Sequence, residues 1–141
     1  HGTLRRVGEL VGPHVGAHGA VPGPDAVALV TDAMAAAGMA DGAYELGPMR
    51  VTVAHGVARL TDGGAIAGGT YHLLDVVRET VEAGVPLVDA VRAASWTPAG
   101  VLGLDDRGGL VAGLRADVVV TDGDLRVREV LRGGEGVDLS A

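Results

Sequence analysis

Hydrophobic positions change their period along this chain, and each change predicts a different element. Ala26-Val27-Ala28-Leu29-Val30 is an unbroken apolar run behind Pro22-Gly23-Pro24, the pattern of a strand buried on both faces in a parallel sheet covered by helices. It runs directly into Thr31-Asp32-Ala33-Met34. In barrels of parallel strands the C-terminal strand ends carry the chemistry, and the small residues Ala35-Ala36-Ala37-Gly38 leave room beside a carboxylate placed there. Asp32 is therefore the first candidate catalytic residue, set against the commoner role of a strand-end aspartate as a cap or ion-pair partner.

Beyond Gly42 the period shortens to two. Tyr44-Glu45-Leu46, Arg50-Val51-Thr52-Val53 and Val57-Ala58-Arg59-Leu60 are divided by Gly47-Pro48 and His55-Gly56, with Asp62-Gly63-Gly64 after the last. This predicts a small antiparallel meander with one wet face and His55 in a turn. Ala65-Ile66-Ala67-Gly68-Gly69-Thr70 then leads into a helical stripe of Leu73, Leu74, Val76, Val77 and Val81 that Gly84 ends, with Thr70 as the expected N-cap. Glycines ahead of a helix let a ligand approach free backbone N–H groups, and equally let a helix pack tightly on a strand. Spacing alone favours packing, and His72 reads as a surface or packing residue.

A second helix is expected over residues 86–95, with Leu87, Val88, Val91 and Ala94 inward. Thr97-Pro98 restarts a third, Thr97 as its cap and Trp96 filling the corner. Residues 116–121 and 127–132 read as two strands around Asp122-Gly123-Asp124. They follow the helices without alternating with them, the sign of a small β layer appended to an α/β body. At the other end, Leu4, Val7 and Leu10 share one face of a short helix over residues 3–10. His14 and His18 stand at helical spacing, but Gly12, Pro13, Gly16 and Gly19 make a helix there poor. A metal pair thus loses its geometry, and two loop histidines are expected.

Composition narrows the function classes. A chain of 141 residues can bury one domain core, but with no Phe, one Trp and two Tyr that core must be built from closely packed Ala, Val and Leu. The net charge of -7, with Arg as the only basic residue type and no basic stripe, argues against a nucleic-acid partner. The absence of Cys removes disulfides and thiolate metal sites. No apolar run approaches the roughly 18 residues of a membrane span, so a cytoplasmic protein with no membrane partner is expected, although His1 is an implausible natural start.

Several stretches together resemble a known family. Leu29-Val30-Thr31-Asp32-Ala33-Met34 with Ala37-Gly38-Met39, the meander, Ile66-Ala67-Gly68, Ala93-Ala94-Ser95, Thr97-Pro98-Ala99, Leu102-Gly103-Leu104 and Gly113-Leu114-Arg115-Ala116-Asp117 are similar to the C-terminal part of the N-acetylglucosamine-6-phosphate deacetylases. These belong to the amidohydrolase superfamily. The T-P-A-x-x-L-G-L and G-x-x-A-D-x-V-V elements are shared across many amidohydrolases. V-T-D-A-M-A-A-A-G-M followed by a β meander and I-A-G is the more specific combination.

The resemblance implies an α/β fold: the C-terminal portion of a metal-dependent (β/α)8 barrel hydrolase with an appended small β-sandwich segment. Residues 1–24 are unassigned, residues 25–108 would be barrel with the meander inserted, and residues 109–141 the C-terminal share of the sandwich. Residues 26–31 would form the last barrel strand. The implied reaction is hydrolysis of the acetamide of N-acetylglucosamine 6-phosphate to glucosamine 6-phosphate and acetate. In the family the matching aspartate, Asp32, takes a proton from the attacking water and returns it to the departing amine. The segment matching Ile66, Ala67 and Gly68 binds substrate, partly through backbone.

The implied cofactor is a divalent metal, zinc foremost, held by a Glu and two His from earlier barrel strands. Those ligands have no matching positions here, and one aspartate cannot make a three-ligand site. The expectation is a C-terminal piece of an enzyme, inactive and poorly soluble alone, homodimeric when full length, with a small amino-sugar phosphate as its partner. Two rivals remain open: another amidohydrolase acting on a cyclic or acyl amide, and a non-catalytic binding module.

Overall fold

The computed structural model describes residues 24–140. They divide into two compact units, Val30–Val76 and a second that takes residues 24–29 together with residues 77–140. The helix expected over residues 3–10, and His14 and His18, lie outside the described residues.

The unit Val30–Val76 is built on the meander. Strands β1 (Gly42–Leu46), β2 (Met49–Ala54) and β3 (Val57–Leu60) form an antiparallel sheet in that order. Its turns follow from their residues. Gly47 enters the first turn at φ 56°, and His55 and Gly56 take φ 52° and 71° in the second, the paired positive φ of a two-residue type I′ hairpin. Alternation divides the faces as expected: Val51 and Val53 are buried while Arg50, Thr52 and Ala54 face solvent. On the buried face Val51, Val53 and Ala58 join Met34 and Ala36, with Tyr44, Leu46, Leu60 and Ala67 packed around them.

The apolar run ahead of Asp32 departs from expectation. Residues 27–31 form no strand, and Val30 is 70% exposed. A strand buried on both faces takes its burial and its ladder from neighbours on either side. Here Leu29 donates one backbone bond to Ala93 O (2.8 Å) and is itself buried. Parallel pairing among the described residues is confined to one bridge, Ala33 with Gly69.

Helix α1 (Leu73–Glu82) starts where its apolar stripe begins and is closed by Gly84 at φ 99°. Its cap differs from expectation. The His72 carbonyl accepts the first helical bonds from Asp75 and Val76, and the Asp75 carboxylate accepts the His72 N–H at 3.0 Å, half of a capping box. Thr70 lies outside the helix.

In the second unit a 3-10 turn (Pro24–Ala26) packs on helices α2 (Leu87–Ala94) and α3 (Trp96–Val101). The buried face of α2 is Ala90 and Ala93, whereas Val88 is 75% exposed and Leu87 and Val91 are half exposed. The expected inward face is wrong: the covered side is the one on which Leu29 N–H bonds to Ala93 O at 2.8 Å. Ser95, not Thr97, precedes α3, its hydroxyl within 2.9 and 3.0 Å of the Val91 and Gly108 carbonyls, and Thr97 is buried within the helix. Trp96 is 44% exposed. It lies along the Gly108-Gly109 backbone, where a Cβ on Gly109 would come within 3.0 Å of the indole.

Strands β4 (Val118–Thr121), β5 (Val127–Arg132) and β6 (Glu135–Gly136) make a second antiparallel sheet, matching the expected β layer and adding a short strand. Asp122 organises its first connection. Its carboxylate accepts the backbone N–H groups of Arg126 (2.9 Å) and Asp124 (3.0 Å) and the Arg128 guanidinium (2.7 Å). The Arg126 N–H is the largest reason that its pKa lies below the ordinary carboxylate value. Among the described residues no helix is long and apolar enough to cross a membrane.

Candidate functional site

Asp32 is exposed and holds φ 47°, a left-handed conformation that aspartate tolerates better than most side chains. Three backbone bonds secure the turn it begins. Gly69 N–H donates to Asp32 O (2.6 Å), Met34 N–H to Gly69 O (3.0 Å) and Gly38 N–H to Thr70 O (3.1 Å). The first two form the parallel bridge, which sets Asp32 beside the glycine segment.

That approach needs residues without side chains. A Cβ on Gly69 would stand 2.0 Å from Thr31 O, and one on Gly68, at φ 114°, would stand 3.0 Å from Asp32 O and 3.2 Å from Met34 Cβ. On its other side the segment extends the meander. Leu60 N–H donates to Ala65 O (2.8 Å), Ala67 N–H donates to Ala58 O (3.0 Å), and Ile66 bridges Arg59 antiparallel. Ile66 is half exposed, and Ala67 and Gly68 are partly buried. The four predicted site residues, Asp32, Ile66, Ala67 and Gly68, therefore fall within one unit, with Gly68 against the Asp32 backbone.

Sequence reasoning missed three contributors. Gly69 makes the bridge and was masked by its neighbour Gly68. Thr70 donates its hydroxyl to Gly56 O in the β2–β3 turn. Asp41 holds that same turn, its carboxylate accepting His55 N–H (2.5 Å) and Gly56 N–H (3.1 Å). These donors, Gly56 foremost, lower the Asp41 pKa below the ordinary carboxylate value. A Gly-containing turn signals Gly69, but nothing in the spacing links Asp41 to a turn so far along the chain. His72 has a packing role in addition to its cap: its imidazole covers Gly38, where a Cβ would meet Nε2 at 2.7 Å.

Two clefts in the second unit contain none of these residues. One, of about 500 Å³, is lined by Arg78, Glu82, Leu125 and Arg126 among others, and one of about 340 Å³ by Val88, Val91, Trp96 and Val111 among others. Among the described residues no group of three or more His, Asp or Glu could hold a metal ion. The residues present do not make the metal site that the resemblance implies.

The geometry thus offers an exposed carboxylate on a braced turn beside a glycine-lined backbone edge, suited to moving a proton next to a bound polar ligand. The chain is similar to known proteins. The N-acetylgalactosamine-6-phosphate deacetylase of Escherichia coli O157:H7 is 43% identical over 106 residues, 74% of this chain and 28% of that protein. The N-acetylglucosamine-6-phosphate deacetylase of Vibrio furnissii is 39% identical over 103 residues, 72% of this chain and 26% of that one. Among solved structures, an aspartate-to-alanine variant of the Mycobacterium smegmatis N-acetyl-D-glucosamine-6-phosphate deacetylase, in complex with N-acetyl-D-glucosamine-6-phosphate, is 47% identical. It superposes with a TM-score of 0.76 over 82% of this chain and 32% of that one. The chain therefore spans only about a third or less of these relatives. The amidohydrolase family pattern matches residues 25–137, most of the chain and both units, and to that family the chain belongs.

Proposed function

We propose that this chain supplies the proton-transfer carboxylate and part of the substrate rim of a deacetylase that hydrolyses the acetamide of N-acetylglucosamine 6-phosphate. The observation that carries the reading is the Gly69 N–H to Asp32 O bond, which joins the two stretches predicted to act together although they lie far apart in sequence. The deacetylase relatives, similar over 72% and 82% of this chain, support it.

In this reading water adds to the acetamide carbonyl carbon while the Asp32 carboxylate takes the proton that the water loses. The tetrahedral adduct then collapses with cleavage of the C–N bond. Asp32 returns the proton to nitrogen, so that glucosamine 6-phosphate leaves as a neutral amine and the acyl group leaves as acetic acid, which ionises to acetate by releasing its own proton to solvent. The backbone of Ile66, Ala67 and Gly68 lines the substrate's side of the turn, and the missing side chain of Gly68 lets that segment lie against the Asp32 backbone. The family's divalent metal would draw its ligands from outside the described residues. In the same reading residues 26–31 complete a (β/α)8 barrel in the full protein, residues 25–108 belong to that barrel, and residues 109–141 contribute to a small β-sandwich. A charged sugar phosphate does not cross membranes unaided, which fits a cytoplasmic enzyme.

The test is acetate release from N-acetylglucosamine 6-phosphate by the full-length protein with added zinc, in wild type and Asp32→Asn. Loss of activity by about 10²- to 10⁴-fold, the range for a positioned acid–base group, is expected for Asp32→Asn. Retained activity overturns the assignment. The N-acetylgalactosamine-6-phosphate deacetylase at 43% identity favours assaying the C4 epimer in parallel, and preference for it would change the sugar while leaving the reaction intact.

A further inference from the structure

We propose that Thr70 is a positioning residue for Asp32, an inference that rests on the deacetylase reading above. The turn from Asp32 to Gly38 is attached at both ends to Gly69 and Thr70, through Gly69 N–H to Asp32 O, Met34 N–H to Gly69 O and Gly38 N–H to Thr70 O. Upstream, the segment is bound to the meander at Ala67, whose N–H donates to Ala58 O. Between that attachment and the bridge lies Gly68 at φ 114°, a residue whose backbone has the freest choice of conformation in the segment. The Thr70 hydroxyl, donating to Gly56 O, returns the chain to the meander beyond this hinge.

Gly56 is a firm anchor. It sits in the two-residue turn between β2 and β3, and its N–H and that of His55 are held by the Asp41 carboxylate. The position of Asp32 is thus referred to a rigid hairpin instead of to the glycine segment alone. Thr70 does not cap the following helix, because His72 accepts the first helical bonds. The hydroxyl acts on the Asp32 turn through the Thr70 backbone, whose carbonyl accepts the Gly38 N–H.

Thr70→Val keeps the β-branched shape and removes the donor, and Thr70→Ser restores it. Thr70→Ala serves if the added methyl prevents folding. In the full-length protein the Met34, Gly38 and Gly69 amides should exchange with solvent at least about fivefold faster in Thr70→Val, the effect of one lost hydrogen bond on local opening. Amides of the β1–β2 ladder should be unchanged. The kcat for acetate release should fall by about fivefold or more with KM held within about twofold, since orientation and not binding is lost. Thr70→Ser should recover both. Unchanged exchange at Gly38 overturns the proposal, and so does faster exchange with unchanged kcat. Should the wild-type protein release no acetate, the deacetylase reading fails, and exchange at Gly38 still decides whether Thr70 holds the turn.

Discussion

Replacing Val51 by alanine should loosen the Asp32 turn from below. Val51 is fully buried, in one core cluster with Met34, Ala36, Val53 and Ala58. Two of these lie just after Asp32 in the chain. The substitution removes two carbons, a transfer loss of about 1.6 kcal/mol at ~0.8 kcal/mol each. A cavity that the sheet cannot close raises this to about 2–3 kcal/mol. Partial burial in the unfolded chain brings it back towards about 2 kcal/mol. Arg50, one position away, points to solvent, so Arg50→Ala should cost less than about 0.5 kcal/mol. Urea denaturation of the full-length protein, followed by exchange protection of the β1–β2 amides, measures both. Equal effects of the two variants would refute the one-sided meander and, with it, the claim that its buried face supports the Asp32 turn.

Gly68→Ala places a Cβ 3.0 Å from Asp32 O at φ 114°, so it should destabilise by more than about 1 kcal/mol and lower kcat; a thermal melt and acetate assay check it. Asp41 has a folded pKa below its ordinary value, so its contribution is present at neutral pH and is lost as pH falls from about 4, the unfolded carboxylate value, through the lower folded value. The stability gap between wild type and Asp41→Asn, read from denaturation at a series of pH values, should therefore close in acid; a gap that widens there would contradict the turn-holding role. The ion pair of Arg92 with Asp25 is exposed on both sides, so Arg92→Gln should change stability by at most about 1 kcal/mol, measured by the same melts.

Local pattern made most of the elements legible. The alternation through Arg50-Val51-Thr52-Val53 and the His55-Gly56 turn place the meander, and the stripe from Leu73 to Val81 places α1 with Gly84 as its stop. The failures share a cause, because burial depends on what arrives from elsewhere. Val88 and Val91 carry a helical stripe as good as any, yet Ala90 and Ala93 are covered because a neighbouring backbone reaches them. Val30 looks like core and is exposed for want of neighbours. At the site, Asp32 was found from the run before it, and Ile66, Ala67 and Gly68 came from the family resemblance. Thr70 and Asp41 work through Gly56, a contact between stretches that no spacing rule connects.

The two-residue turns of the meander also bear on the order in which the chain assembles. Hairpins with such turns close in about 1–10 μs, because each strand pairs with its immediate neighbour in sequence. The bridge between Ala33 and Gly69 instead encloses the whole meander, and closing a flexible loop of that length would carry a larger entropic cost. Once the three strands have formed, most of that loop is already folded, and only the short linkers at its two ends remain to be ordered. The hairpins can therefore act as a folding scaffold that brings Asp32 and the glycine segment within reach, so that the Asp32 turn is among the last features of this unit to form and the first to open.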